Sequence, residues 1–237
     1  MEIKKKIAVC GDSYCVAELV SDDRLHFSQV LEDRYGYDIL PLALAGCSNT
    51  CIAFQIQAAI KLDADIVIYN MTFPSRIDIV MAPEYVNWPG GIKNFAYPFT
   101  NDTGYDTTHV GNRFAPIFST TIDGLDSKFG MVEKLTQQHV DAAKSYLLNF
   151  YHHSWKQEID SWILAYWHQQ IIDAGKLPIP LINNSPVKVE FDPELAQAIY
   201  DFTKNNPDYP RVYHTDGLSQ QITAEKIHQH IKEKLTQ

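Results

Sequence analysis

Three short apolar segments near the start of the chain alternate with segments of helical periodicity, and this alternation constrains the fold more than any other feature. An apolar strand that is followed by a helix and a second apolar strand is typical of a parallel sheet with right-handed crossovers. The nearly continuous apolar run from Asp65 to Met71 is expected of a strand that is covered on both faces. The predicted elements are strands at 6–10, 37–44 and 65–71 and helices at about 21–34 and 51–62.

Strand and helix signals return after a long irregular stretch. Between residues 82 and 130 the pattern is replaced by Pro, Gly, Asn, Thr and aromatic residues. So long an insertion is either a lid, a binding loop or an oligomer contact, or a surface segment that packs on itself. The further predicted elements are helices at 132–150, from 155 to a stop at Gly175, at 193–204 and at 218–235, and strands at 177–182 and 211–213.

The length of the chain favours one domain. With 237 residues the chain can bury a well-developed core, and no linker divides it. The sequence therefore predicts a single α/β domain over residues 1–237, with the irregular insertion at about 82–130. Its fold class is three-layer α/β/α, in which a doubly wound parallel sheet lies between two layers of helices.

Charge and cysteine content disfavour several functional classes. A net charge of -9 and a pI near 5.4 disfavour nucleic acid and anionic membrane surfaces as partners. The apolar run after Lys6 is too short for a signal peptide or a membrane span, so we expect a cytoplasmic protein. The four cysteines lack the spacing of a disulfide scaffold, and Cys47 and Cys51 alone make a poor zinc site. We therefore expect reduced thiols, no metal and no cofactor.

Three turns come directly after predicted strands, at the carboxyl edge of the sheet, where ligands bind in open parallel sheets. They lie at residues 11–14, 46–49 and 70–74. Ser13 is a candidate nucleophile in the first turn, and a serine needs a base and donors aimed at its oxyanion. The backbone N–H groups of Ser13 and Gly46 and an asparagine side chain could supply those donors.

The order of these turns resembles the SGNH (GDSL-like) hydrolases, which carry a Gly-Asp-Ser block, a Gly block, an Asn block and a late Asp-x-x-His block. Gly11-Asp12-Ser13 matches the first block, and Gly46, followed by Ser48 and Asn49, is similar to the second. The third block departs from the usual Gly-x-Asn-Asp and resembles a phage-type variant. The residues in register with that variant are Thr72, Pro74, Arg76 and Asp78.

The resemblance implies roles for several of these residues. Ser13 is the implied nucleophile, and either Asn70 or Thr72 faces the oxyanion. Arg76 and Asp78 alternatively form a local ion pair without functional consequence. The implied oxyanion and substrate-binding residues are Asp12, Gly46, Asn49, Asn70, Thr72 and Arg76.

The fourth block is reduced to a histidine. His214 precedes the last predicted helix, and Ala224 comes ten positions later, as the family pattern requires. The acid expected three residues earlier is replaced by Arg211, which leaves Asp208 and Asp216 as local carboxylates. Asp216 alternatively caps the final helix, and His214 is either the base or a solvated loop residue.

The resemblance implies a serine esterase whose substrate is a small-molecule or glycan ester, such as an acylated sugar or lipid. The alternative is a catalytically inactive protein of the same fold, which recognises a carbohydrate or a protein partner through the aromatic-rich segment from Tyr85 to Phe118. A third interpretation, a flavodoxin-like nucleotide-binding sheet, is disfavoured because the chain has no Gly-x-Gly-x-x-Gly motif and no phosphate loop.

Overall fold

A four-stranded parallel sheet is the centre of the fold, with helices on both faces. The computed structural model describes residues 4–17, 26–44, 47–72, 74, 77–80, 117–120, 137–181 and 217–235. The strands are β1 (Lys6–Cys10), β2 (Asp38–Pro41), β3 (Ile66–Asn70), β4 (Ile77–Val80), β5 (Ile117–Thr120) and β6 (Leu177–Leu181). The helices are α1 (Phe27–Tyr35), α2 (Asn49–Lys61), α3 (Gln137–Phe150), α4 (His153–Asp173) and α5 (Gly217–Leu235).

The strand order in the main sheet is β2-β1-β3-β6, and every pairing is parallel. The chain moves from β1 outward to β2, returns across β1 to β3, and continues in the other direction to β6. This doubly wound order confirms the predicted fold class. It also creates a crevice between the carboxyl ends of β1 and β3, because the connections leave these two neighbours in opposite directions.

Side chains of β1 alternate between two hydrophobic cores. Ile7 and Val9 face the layer formed by α1 and α5, whereas Ala8 and Cys10 face α2 and α4. All five residues of β3 are buried, as expected for a strand covered on both faces. The three layers therefore result directly from the period-2 alternation of apolar side chains in the strands.

Strand β6 contains Pro178 and Pro180 and lies at an edge of the described sheet. The Leu177 N–H donates to the Asp65 carbonyl at 3.0 Å. Successive N–H groups of a strand point to opposite sides, so the two proline nitrogens point away from β3. The prolines are compatible with the strand because they fall where no ladder hydrogen bond is needed.

The first helix begins later than the sequence predicts. His26 has an extended backbone and caps α1, and its ring accepts a hydrogen bond from the Ser28 N–H while the Gln29 side chain accepts from the His26 N–H. This reciprocal capping box fixes the start of the helix at Phe27. Gly36, with a φ of 76°, ends α1 as predicted.

The predicted irregular insertion contains at least one strand. Strand β5 lies within it and pairs antiparallel with β4, so that Ile79 is opposite Phe118. The predicted elements at 193–204 and 211–213 lie outside the described residues. No helix in the part of the chain that the structure describes is long and apolar enough to cross a membrane.

Candidate functional site: a buried polar network beneath Ser13

Ser13 lies in a tight turn at the carboxyl end of β1, beside the crevice between β1 and β3. The Cys15 N–H donates to the Asp12 carbonyl at 3.0 Å and closes the turn. Asp12 and Gly11 are buried, whereas Ser13 is partly exposed. Among the described residues, neither the N–H nor the hydroxyl of Ser13 has a hydrogen-bond partner. The turn therefore presents a serine hydroxyl at the edge of the sheet.

Gly11 is fixed by its surroundings as well as by its backbone. Its φ is +146°, and a Cβ built on it would lie 1.9 Å from Asn70 Oδ1 and 2.8 Å from Cys15 Sγ. The side chain of Gln55, on α2, accepts from the Gly11 N–H and donates to the Gly11 carbonyl at 3.3 Å. The start of the turn thus accepts glycine alone, because a side chain would collide with Asn70.

The Asp12 carboxylate fixes the turn through its hydrogen bonds. Its Oδ1 accepts from Asn70 Nδ2 at 2.7 Å and from the Tyr14 N–H at 3.1 Å, and its Oδ2 accepts from Thr72 Oγ1 at 2.9 Å. The Asp12 N–H donates to Asn70 Oδ1 at 3.0 Å. Asn70 thus binds both the backbone and the side chain of Asp12, and the end of β3 fixes the residue next to Ser13.

Asn49 connects this cluster to α2. Ser48 caps that helix by accepting from the Cys51 N–H at 3.2 Å, which places Asn49 in the first turn. The Asn49 side chain accepts from the Thr72 N–H at 2.8 Å and donates to the Thr72 carbonyl at 2.9 Å. A second bond from Asn49 Nδ2 reaches Asp160 Oδ2 at 2.9 Å. The Asn49 amide therefore links α2 to Thr72, which follows β3, and to α4.

Sequence reasoning missed Asp160 and Lys156, which lie four residues apart on α4 and form an ion pair. Asp160 is completely buried, and the Lys156 side chain is largely buried. No clear signal in the sequence identifies Asp160. The aromatic residues that suggest an apolar face on this helix, Trp155, Trp162 and Tyr166, are exposed, and the buried face instead carries Asp160, Leu164 and Ile171. Asn49, the partner of Asp160, is 111 positions away, so spacing alone does not identify the contact.

His26 supports the turn from its other side, and it too was missed. Its Nδ1 accepts from the Ser28 hydroxyl at 2.8 Å and from the Ser28 N–H, which leaves Nε2–H to donate to the Tyr14 carbonyl at 3.0 Å. The ring is fully buried. Burial lowers the pKa of His26 from 6.5 to about 4, although the hydrogen bond to Tyr14 opposes this shift. His26 is therefore neutral near pH 7.

The thiols around the turn are buried and unreactive. Burial raises the pKa of Cys10 far above its usual range, and burial, together with the nearby Asp12 charge, raises the pKa of Cys15. A protonated thiol is a poor nucleophile and a poor metal ligand. No group of three or more His, Cys, Asp or Glu within the described ranges could hold a metal ion.

The structure brings together four of the predicted site residues besides Ser13. These are Asp12, Asn49, Asn70 and Thr72, all of which are buried in one hydrogen-bonded network. The others lie outside the described residues, so their predicted roles stay predictions. They are Gly46, Arg76, Asp208, His214 and Asp216.

The fold and the network define a class of protein: a doubly wound α/β/α domain with a serine turn at its topological switch point. No protein-family model matches the sequence, and no curated protein sequence matches it significantly. The function of the chain therefore has to be inferred from the residues of the site and their geometry.

Proposed function

We propose that this chain is an SGNH-like serine hydrolase of the esterase type, with Ser13 as nucleophile and His214 as base. The observation that supports it best is the Ser13 turn. A partly exposed hydroxyl lies at the switch point of the sheet, on a turn that the buried Asp12 carboxylate holds in place. A nucleophile benefits from this arrangement, because a residue whose backbone is held in place loses less entropy when it attacks.

The proposed reaction begins when His214 removes the proton from the Ser13 hydroxyl. The Ser13 oxygen attacks the acyl carbon, the alcohol leaves with a proton from His214, and water then hydrolyses the acyl-enzyme. Asp208 or Asp216 orients His214, as the sequence resemblance implies. The resemblance also suggests that the ester belongs to an acylated carbohydrate or lipid.

The N–H groups of Ser13 and Gly46 are the proposed main donors to the oxyanion. Thr72 Oγ1 donates to Asp12, and Asn70 Nδ2 uses one of its two hydrogens for the same carboxylate. Asn70 keeps a second hydrogen, so a direct contact with the oxyanion stays a prediction. In this proposal the principal role of both side chains is to hold Asp12, and through it the turn.

Hydrolysis of p-nitrophenyl acetate tests the proposal. The variants are Ser13→Ala, His214→Ala and Ser154→Ala, the last being a control at an exposed position on α4. We expect Ser13→Ala to abolish hydrolysis, His214→Ala to slow it by a factor of about 100 or more, and Ser154→Ala to match the wild type. Equal rates in all four proteins would contradict the catalytic assignment.

A second candidate function is a non-catalytic binding protein of the same fold. It is favoured by two tryptophans on the outer face of α4, Trp155 and Trp162, which are 59% and 58% exposed with ring centroids 5.9 Å apart. Exposed aromatic pairs of this kind are common in binding surfaces. This candidate predicts that the wild type does not hydrolyse esters and that Trp155→Ala weakens binding of an oligosaccharide or a protein partner, measured by calorimetry.

A further inference from the structure

The buried ion pair on α4 lies at the far end of the network that reaches Ser13. Lys156 contacts Asp160 Oδ1, and Asp160 Oδ2 accepts from Asn49 Nδ2 at 2.9 Å. From Asn49 the hydrogen bonds continue through Thr72 to Asp12, which is adjacent to Ser13. A helix that contributes no residue to the serine turn is thus connected to it by three successive buried contacts.

The orientation of the Asn49 amide determines which kind of group can lie at position 160. Its oxygen must face the Thr72 N–H, and its nitrogen must supply hydrogens to both the Thr72 carbonyl and Asp160. An acceptor at position 160 is therefore compatible with this orientation, whereas a donor there opposes it. As a carboxylate Asp160 accepts through both oxygens and carries no donor, and Lys156 supplies the positive charge that offsets the burial of this form.

We propose that Asp160 is a positioning residue for the Ser13 turn, acting through Asn49, Thr72 and Asp12, and that Lys156 keeps Asp160 in its accepting form. The activity part of this inference rests on the proposed function, because it concerns the reactivity of Ser13. The structural part does not, because the Tyr14 N–H that binds Asp12 Oδ1 reports on the turn directly.

Two variants separate positioning from simple stabilisation. In Asp160→Asn, the new amide oxygen turns to Lys156, and the new NH₂ group faces Asn49 Nδ2, which places two donors against each other. Adding Lys156→Met removes the competing cation, so that the new amide oxygen can turn to Asn49 and accept again. Positioning therefore predicts that the double variant recovers what the single variant loses.

The first readout is the second-order rate constant for labelling of Ser13 by a fluorophosphonate, measured on the full chain well below its unfolding temperature. We expect Asp160→Asn to slow labelling about tenfold, since small misplacements of a reacting group have effects of this size or larger. The double variant is expected to return to within about threefold of the wild type. Asp173→Leu, an exposed position on the same helix, is the matched control and should label like the wild type.

The second readout is hydrogen exchange at the Tyr14 amide, measured by NMR. We expect faster exchange in Asp160→Asn, recovery in the double variant, and no change in Asp173→Leu. Two outcomes would overturn the inference: equal labelling and exchange in all variants, or a double variant that is slower to label than the single one. If the wild type is not labelled, the proposed function fails while Tyr14 exchange still decides the positioning role.

Discussion

The two ends of β1 and β3 carry charged residues in opposite environments. At the amino end, Lys5 and Asp65 form an ion pair whose side chains are 48% and 37% exposed. At the carboxyl end, Asp12 and Asp160 are 1% and 0% exposed. Exposed ion pairs contribute little to stability, and buried carboxylates carry a desolvation cost of several kcal/mol that their partners must offset.

This difference indicates that the two ends of the sheet have different roles. Buried ion pairs can often be replaced by apolar residues of similar volume without loss of stability. Stability alone therefore does not require the buried ion pair of Asp160 with Lys156. Asp12 and Asp160 both accept hydrogen bonds within the same network. These hydrogen bonds specify one geometry for the turn that presents Ser13, whereas the amino end needs only to terminate the strands in water.

The largest effect is expected from Gly11→Ala. The new Cβ would overlap with Asn70 Oδ1 in a backbone conformation that L-residues avoid, so we expect the free energy of unfolding to fall by about 4 kcal/mol or more. Gly36→Ala is the matched control, because Gly36 also has a positive φ but nothing lies within 4 Å of its Cβ position. It should lose about 1 kcal/mol in urea unfolding. Equal losses would show that Asn70 does not constrain the turn.

A smaller effect is expected from Asp12→Ala. This change leaves the donors of Asn70, Thr72 and Tyr14 without the carboxylate, so the free energy of unfolding should fall by about 3 to 4 kcal/mol. Asp65→Ala at the amino end should cost only about 1 kcal/mol, because water replaces its hydrogen bonds to Lys5 and Lys6. Equal costs in urea unfolding would show that the two ends of the sheet do not differ in this way.

The pH dependence of stability reports on His26. Its folded pKa is about 4 and its ordinary value is 6.5, so between these values the unfolded chain binds a proton that the folded chain does not. The contribution of His26 to the free energy of unfolding is complete above pH 6.5. It decreases as the pH falls, with a loss of about 3 kcal/mol at pH 4. His26→Asn, which retains a capping side chain, should lack this component in urea unfolding at pH 7 and pH 4.

His153→Asn, at an exposed position on α4, is the control for this measurement. It should keep the pH dependence of the wild type. If His26→Asn keeps it as well, the ring of His26 does not carry the acid sensitivity of the turn.

Sequence patterns predicted the four strands of the main sheet and the meeting of Asp12, Asn70 and Thr72, because these depend on local periodicity and on the rule that parallel strands end at one edge. They did not predict β4 and β5. Nor did they predict the contacts of Gln55, His26 or Asp160. Each contact depends on how a helix is rotated against the sheet, which the apolar stripe fixes only to within its own width. The role of a buried polar residue on a helix can be assigned only when its distant partner is known.

The reactivity of Ser13 at the carboxyl end of β1 is the property on which the proposed function depends most. The most direct test is to react the folded chain with a fluorophosphonate and to locate the added mass by peptide mass spectrometry. We predict labelling at Ser13 in the wild type and in Ser154→Ala, and none in Ser13→Ala. A folded wild-type chain that remains unlabelled at Ser13 would contradict the assignment of this serine as a nucleophile.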